Sequence, residues 1–263
     1  MTSDEGYLLD NRQSQAGTRF EALAELFDPS TFRHLSRVGV GPGWRCWEVG
    51  AGGPCVPGWL AERVGPDGLV LATDIDTSWL AGDGAPFEVR RHDVGVDDPP
   101  ATGLDLVHAR LVLTHVPARE RALATMAAAL RPGGRLILED ADPGLQPLLC
   151  PDEYGPEQRL ANRLRHGFRT LMAGRDADLA FGRTLPRLLR EQGLHDVGAD
   201  AFFPISSPAC TTLEIATVEQ IRGRLVDGAV ASAEEIDEHL GNLAAGRVPD
   251  LATSPMITAW GRV

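Results

Sequence analysis

The chain has 263 residues, 43% hydrophobic and 24% charged, enough for one large domain or one domain with a sizeable appendage. Its formal net charge of −12 argues against a polynucleotide substrate, which needs a basic face to displace counterions. The 25 Lys and Arg positions are all arginine, which excludes Schiff-base lysine chemistry.

No apolar run approaches the ~18 residues of a membrane span, and the acidic, polar start "MTSDEGYLLDNRQ" does not read as a signal peptide, so a cytoplasmic protein is expected. The four cysteines, Cys46, Cys55, Cys150 and Cys210, show neither CxxC pairing nor metal-ligand spacing and read as small buried hydrophobes.

Residues 5–37 read as one or two helices. From Val38 strand-like and helix-like segments alternate. "RCWEVGAG" is an apolar run ending in glycines, and "VPGWLAERV" is an amphipathic helix stopped by "GPDG". "LVLATDID", "FEVRRHDV" and "LDLVHARLVL" are the next strands, "ARERALATMAAALR" is a helix closed by "PGG", and "RLILEDAD" is a fifth strand. Residues 143–195 read as mostly helical, and a further helical stretch near 211–245 separates the strands "VGADAFFPI" and "PMITAWGRV". Short turns between alternating elements imply a parallel, doubly wound sheet covered on both faces. Ligands of such sheets sit outside the carboxyl ends of the strands, so the strand-closing residues carry the functional information.

The first strand closes on Glu48, Gly50 and Gly52, where glycines allow a sharp turn and close backbone approach to a ligand. A dinucleotide fingerprint wants a third glycine at position 55, which is Cys55. Asp74 closes the second strand 24 residues after Gly50, the spacing of a carboxylate that takes ribose hydroxyls, with Asp76 as the competing residue. Asp93 closes the third strand beside Val94 and stands where an adenine amino group could be read. His92 and His108 read as structural.

Taken in order, "EVGAGG", "ATDID", "RRHDV", "DLVHARLVLTHVP" and "LRPGGRLILED" resemble the motif series of class I S-adenosylmethionine-dependent methyltransferases. The similarity covers about residues 38–142 and is greatest to the small-molecule group that includes ubiquinone-type and bacterial natural-product enzymes. The resemblance implies a Rossmann-like, mostly parallel seven-stranded α/β sheet whose last strand is antiparallel. It would have an N-terminal helical lid over 1–37, a cofactor-binding core over 38–142, and helical cap insertions with the last two core strands over 143–263.

It also implies S-adenosyl-L-methionine as cofactor, S-adenosyl-L-homocysteine as product, no metal, and a small-molecule acceptor of the specialised-metabolite kind. Neither nucleic acid nor membrane is expected as a partner, and a homodimer is compatible with it. Glu48 would lie near the methionine amino group, Gly50, Ala51 and Gly52 under the methionine and ribose, and Asp74 on the ribose hydroxyls. Ile75 would pack on the adenine, Asp93 and Val94 would read its edge, the Ala109 carbonyl would meet the ammonium, and Arg110 would reach the carboxylate. In the N-terminal helix Tyr7 would stand near the sulfonium and Arg19 near the carboxylate.

In-line methyl transfer needs alignment and exclusion of water; it needs a base only for a poorly ionised acceptor. His115 is the candidate base, although phenolic O-methyltransferases, aligned on the following proline, place theirs at Thr114. Phe168, Met172, Phe202 and Phe203 are candidates for an apolar acceptor lining. "EDAD", Glu139–Asp142, resembles a magnesium site, but its partner position is Arg110, so no metal is expected. A nicotinamide-dependent oxidoreductase would explain the glycine loop and Asp74 but not the later motifs. A protein that keeps the cofactor fold without methylating, as a binding partner or cyclase-like catalyst, is the other alternative.

Overall fold

A computed structural model describes residues 15–80, 84–175 and 177–263. They form two compact units. Among the described residues the sheet unit takes Phe27–Ala141, Phe181–Phe202 and Met256–Val263, and the helical unit takes 15–26, Asp142–Ala180 and Phe203–Pro255.

The sheet unit holds seven strands: β1 (Arg45–Val49), β2 (Leu69–Asp74), β3 (Glu88–Arg91), β4 (Leu104–Arg110), β5 (Leu130–Ala141), β6 (His195–Phe202) and β7 (Met256–Arg262). Their order is β3-β2-β1-β4-β5-β7-β6. β1 to β5 pair in parallel, and β7 runs antiparallel to both of its neighbours, β5 and β6. This is the doubly wound sheet with an antiparallel last strand that the sequence implies. Its order reverses beside β1, which lies between β2 and β4, and the carboxyl ends of β1 and β4 are where sheets of this kind form their ligand crevice.

Residue alternation along each strand separates two cores. Trp47, Leu71, Val107, Leu136, Leu138 and Ala259 face one side, where α3 (Arg119–Ala129) and α5 (Leu185–Glu191) supply Leu123, Met126, Leu185 and Leu189. Cys46, Val70, Leu106 and Ile137 face the other, against Leu35 of α1 (Gln15–Arg37) and Val56, Leu60 and Val64 of α2 (Cys55–Val64). Strands covered on both faces must be apolar throughout, which is why "RCWEV" and "RLILE" read as continuous runs.

Of the one or two helices expected before the sheet, the described residues form one, α1, which continues through Pro29. One detail differs from the sequence reading. The turn "RPGG" belongs to the start of β5, because α3 stops at Ala129 and Leu130 is already extended.

The helical unit is built on α4 (Pro156–Ala173), α6 (Pro208–Asp227) and α7 (Ala233–Ala244). Leu160, Leu164, Val218, Ile221, Leu225 and Ile236 form its core. Proline opens α4 and α6, where its missing N–H costs nothing, and Ser232 and Glu235 form a reciprocal capping box at α7. Among the described residues no helix is long and apolar enough to cross a membrane.

Candidate functional site

The loop after β1 turns through Gly50 and Gly52, both at positive φ (60° and 63°). These are backbone states that side chains rarely adopt. A Cβ on Gly50 would stand 2.4 Å from Cγ2 of Val112, so only glycine lets the loop pass under the segment that follows β4. That segment is itself strained, because Leu111 holds φ 58° while its amide donates to the Glu139 carbonyl. Pro54 sits at the start of α2, and its carbonyl accepts the first helical bond from Gly58, so its ring disturbs nothing.

Asp74 closes β2 against this loop. One carboxylate oxygen accepts from the Gly52 amide at 2.9 Å and the other from the Asp76 amide at 3.0 Å. Burial still pushes its carboxyl above the usual range, against those amide bonds. The Ala51 amide donates to the Thr73 carbonyl, which fixes the loop to β2. Ile75, next in sequence, leaves 62% of its surface exposed, so an apolar face stands bare beside an acidic strand end. Asp93 accepts from the Gly95 amide at 2.9 Å and is exposed, whereas Val94 is buried in the core. Ala109 is buried at the end of β4.

On the α1-facing side of the sheet a polar row crosses adjacent strands. Glu48 of β1 and His108 of β4 are register partners, and Glu48 Oε2 lies 2.6 Å from His108 Nδ1. His108 Nε2 lies 3.4 Å from Glu139 Oε2 of β5. Glu139 also accepts from Thr31 of α1 at 2.5 Å and from Thr258 of β7 at 2.7 Å. Burial alone would depress His108, but the flanking carboxylates outweigh it and raise it to about 9. Burial likewise opposes Glu139, yet His108, Arg110 and Thr31 hold it down at about 2. Glu48 goes the other way, raised by burial that its single partner does not offset.

On the α3 side Asp140 accepts from the Thr114 amide at 3.1 Å and from its hydroxyl at 2.7 Å, which anchors the 3₁₀ turn Leu113–His115. Burial pushes Asp140 up to about 6 in spite of those bonds.

The structure thus brings Glu48, the glycine loop, Asp74 and Ala109 to neighbouring strand ends at the crevice, with Ile75 following β2 and Asp93 and Val94 following β3. Other residues fall elsewhere. Arg110 is engaged by α1, through Asp28 at 2.7 Å and the Thr31 hydroxyl at 3.0 Å. Arg19 belongs to the helical unit, where it donates to Gln220 at 3.2 Å. His115 is exposed on its turn, and Tyr7 lies outside the described residues. Phe168 and Met172 pack on the helical core, and Phe202 meets Phe27 edge-on. Cys55 is exposed, unlike the other three cysteines. Sequence reasoning placed His108 as a structural residue, and it is buried and partnered; the identity of its partners Glu48 and Glu139 was not read. The available signal was a polar residue in phase on three apolar strands, in "CWEV", "LVHAR" and "LILED".

A family profile described as a methyltransferase domain matches residues 84–201. The chain is similar to methyltransferase str3 of Strobilurus tenacellus, 32% identical over 163 residues, 59% of this chain and 54% of that one. It is also similar to nocamycin O-methyltransferase of Saccharothrix syringae, 32% identical over 66% of this chain and 61% of that one. The ubiquinone/menaquinone biosynthesis C-methyltransferase UbiE of Laribacter hongkongensis is 32% identical over 40% of this chain and 46% of its own. The chain spans about half the length of the curated relatives it matches.

Among solved structures, phosphoethanolamine N-methyltransferase 2 of Haemonchus contortus superposes with a TM-score of 0.58 at 14% identity, over all of this chain and 60% of that one. A methyltransferase from Aquifex aeolicus gives 0.51 at 13% identity, over 96% and 100%. At these identities the likeness concerns the fold.

Proposed function

Because the chain belongs to the class I S-adenosylmethionine-dependent methyltransferase family, we propose that it transfers a methyl group from S-adenosylmethionine to a small organic acceptor. The observation that carries this reading is the chemistry of the strand ends. The loop amide of Gly52, which a pyrophosphate would claim, is already taken by the Asp74 carboxylate. Glu48 and Asp93 add two more carboxylates to neighbouring strand ends. Such a crevice repels phosphate and suits a cofactor that carries an ammonium, a sulfonium, ribose hydroxyls and an adenine amino group.

In this proposal Asp74 accepts from the ribose hydroxyls, and Ile75 gives its exposed side chain to an adenine face. Asp93 and the Val94 amide read the adenine edge. Glu48 and the Ala109 carbonyl receive the ammonium, and Gly50, Ala51 and Gly52 let the backbone approach. Bound there, the cofactor supplies an electrophilic methyl group on a sulfonium, and the protein's work is to align the acceptor and exclude water. Arg110 is not assigned to the cofactor carboxylate, since Asp28 and Thr31 occupy it. His115 remains the candidate base for a hydroxyl or ammonium acceptor. The relatives include an O-methyltransferase for nocamycin and C-methyltransferases of quinone biosynthesis, which supports a small-molecule acceptor, a specialised metabolite among them, and leaves its reacting atom outside the proposal. A cytoplasmic setting and the absence of a polynucleotide partner belong to the same reading, supported by the net charge of −12.

The test is calorimetric titration of the protein with S-adenosylmethionine, S-adenosylhomocysteine and NAD in parallel. Saturable one-site binding of the first two is expected. Preference for NAD, or no binding of either sulfur compound, would sink the reading.

A further inference from the structure

We infer that His108 is a positioning residue for the cofactor: clamped between Glu48 and Glu139, its imidazole holds the Glu48 carboxylate in register for the cofactor's ammonium group. The inference rests on the cofactor assignment just proposed, and its basis is the unequal treatment of the two carboxylates. Glu139 is filled: one oxygen takes Thr31 and His108, and the other takes Thr258. Glu48 is only 2% exposed, yet His108 on Oε2 is its only side-chain partner among the described residues. The second oxygen of this carboxylate has no side-chain partner among the described residues, and a cationic donor suits it best.

The arrangement also balances charge. Glu48 and Glu139 share the His108 imidazole, with Arg110 nearby on Asp28 and His34 Nδ1 at 3.9 Å from the far oxygen of Glu139. An ammonium at Glu48 would complete an alternating row, cation, Glu48, His108, Glu139, along β1, β4 and β5. Burial works against a charged Glu48, and the His108 imidazole is the group that most opposes it. Glu139, through Thr31 and Thr258, keeps the far side of the ring fixed to α1 and β7.

The test compares two ligands that differ in the amino-acid moiety. S-adenosylhomocysteine carries the ammonium, and 5′-methylthioadenosine has the same nucleoside without it. H108Q is expected to weaken S-adenosylhomocysteine about 10- to 100-fold and to leave 5′-methylthioadenosine within about 3-fold. E48Q should show the same selective loss, and the double variant E48Q/H108Q should bind no more weakly than E48Q alone, because His108 acts through Glu48. Equal loss on both ligands, unchanged S-adenosylhomocysteine affinity, or additive losses in the double variant would overturn the inference.

Wild-type protein offers a measurement that needs no variant to fold. The His108 ring resonances, in protein labelled with ¹⁵N-histidine, should move on saturation with S-adenosylhomocysteine and stay with 5′-methylthioadenosine. A ring that responds to both or to neither overturns the positioning role. Wild-type protein that binds neither ligand overturns the cofactor reading itself.

Discussion

Each unit of the molecule buries a cluster of carboxylate and histidine, and the two are balanced in opposite ways. In the helical unit Glu214 of α6 is one carboxylate with two basic partners, Arg165 of α4 at 3.0 Å and His239 of α7 at 3.3 Å. Burial works against its charge, but Arg165 and His239 outweigh it and hold its carboxyl below the usual range. The cluster ties together the same three helices that share the apolar core. In the sheet unit two carboxylates share the His108 imidazole, with His34 at 3.9 Å from Glu139 alone, and the carboxylate with fewer partners, Glu48, closes the strand that leads into the glycine loop. A cluster whose carboxylate is held by two basic partners reads as structure. One with an anion in surplus reads as half of a binding site.

The largest expected effect tests the structural side. Glu214→Leu leaves Arg165 and His239 without their anion and should cost about 3–5 kcal/mol of stability, measured by urea unfolding. S-adenosylhomocysteine affinity measured on the folded variant should not change. A parallel loss of affinity would break the contrast. The counterpart is Asp74→Ala, which removes the acceptor proposed for the ribose hydroxyls. It should weaken S-adenosylhomocysteine about 100-fold, or about 3 kcal/mol, by calorimetry, with a smaller loss of stability from the freed Gly52 and Asp76 amides.

Much of this was legible in the sequence. Strands buried on both faces are largely apolar runs, so "RCWEV" and "RLILE" announced themselves, and the spacing from Gly50 placed Asp74 at the end of β2, beside the glycine loop. What escaped was set by pairing at long range. The contacts of Arg110 with Asp28 and Thr31 were not read because those partners lie about 80 positions upstream, on a helix whose packing no local pattern fixes. His108 looked like one more core residue because its role depends on the register of β4 against β1 and β5. The opening helix stayed ambiguous because Pro29 is an ordinary helix breaker, and tertiary packing of Phe27, Thr31 and Leu35 overrides it.

Neighbouring carboxylates on β5 sharpen the contrast through pH. Asp140 is raised to about 6, so the folded state binds its proton first. Its contribution is fully present below the unfolded value of 3.8 and is lost as pH rises through about 6. Glu139 is depressed to about 2, so its contribution is present above 4.5 and is lost as pH falls through about 2. Stability governed by Asp140 should therefore increase on going from pH 7 to 5, with a full span on the order of 2–3 kcal/mol. In Asp140→Asn that limb should be flat. At the alkaline end the raised imidazolium of His108 should withdraw stability as pH rises through about 9, a limb that H108Q should lack.

The smallest expected effect separates the two carboxylates of the sheet cluster. Thr258→Val keeps the shape of a fully buried side chain and removes one hydroxyl, the partner of Glu139 Oε1 at 2.7 Å. A hydrogen bond to a buried charge is lost, so unfolding should become easier by about 1–2 kcal/mol. Thr31 and His108 still hold the other oxygen, so the imidazole should keep its place and with it Glu48. If Glu139 is the structural end of the row and Glu48 the binding end, the stability loss comes with S-adenosylhomocysteine affinity unchanged within about 2-fold. A loss of affinity as large as that in H108Q would mean that the row responds as one body, and that binding and stability cannot be assigned to separate ends of it.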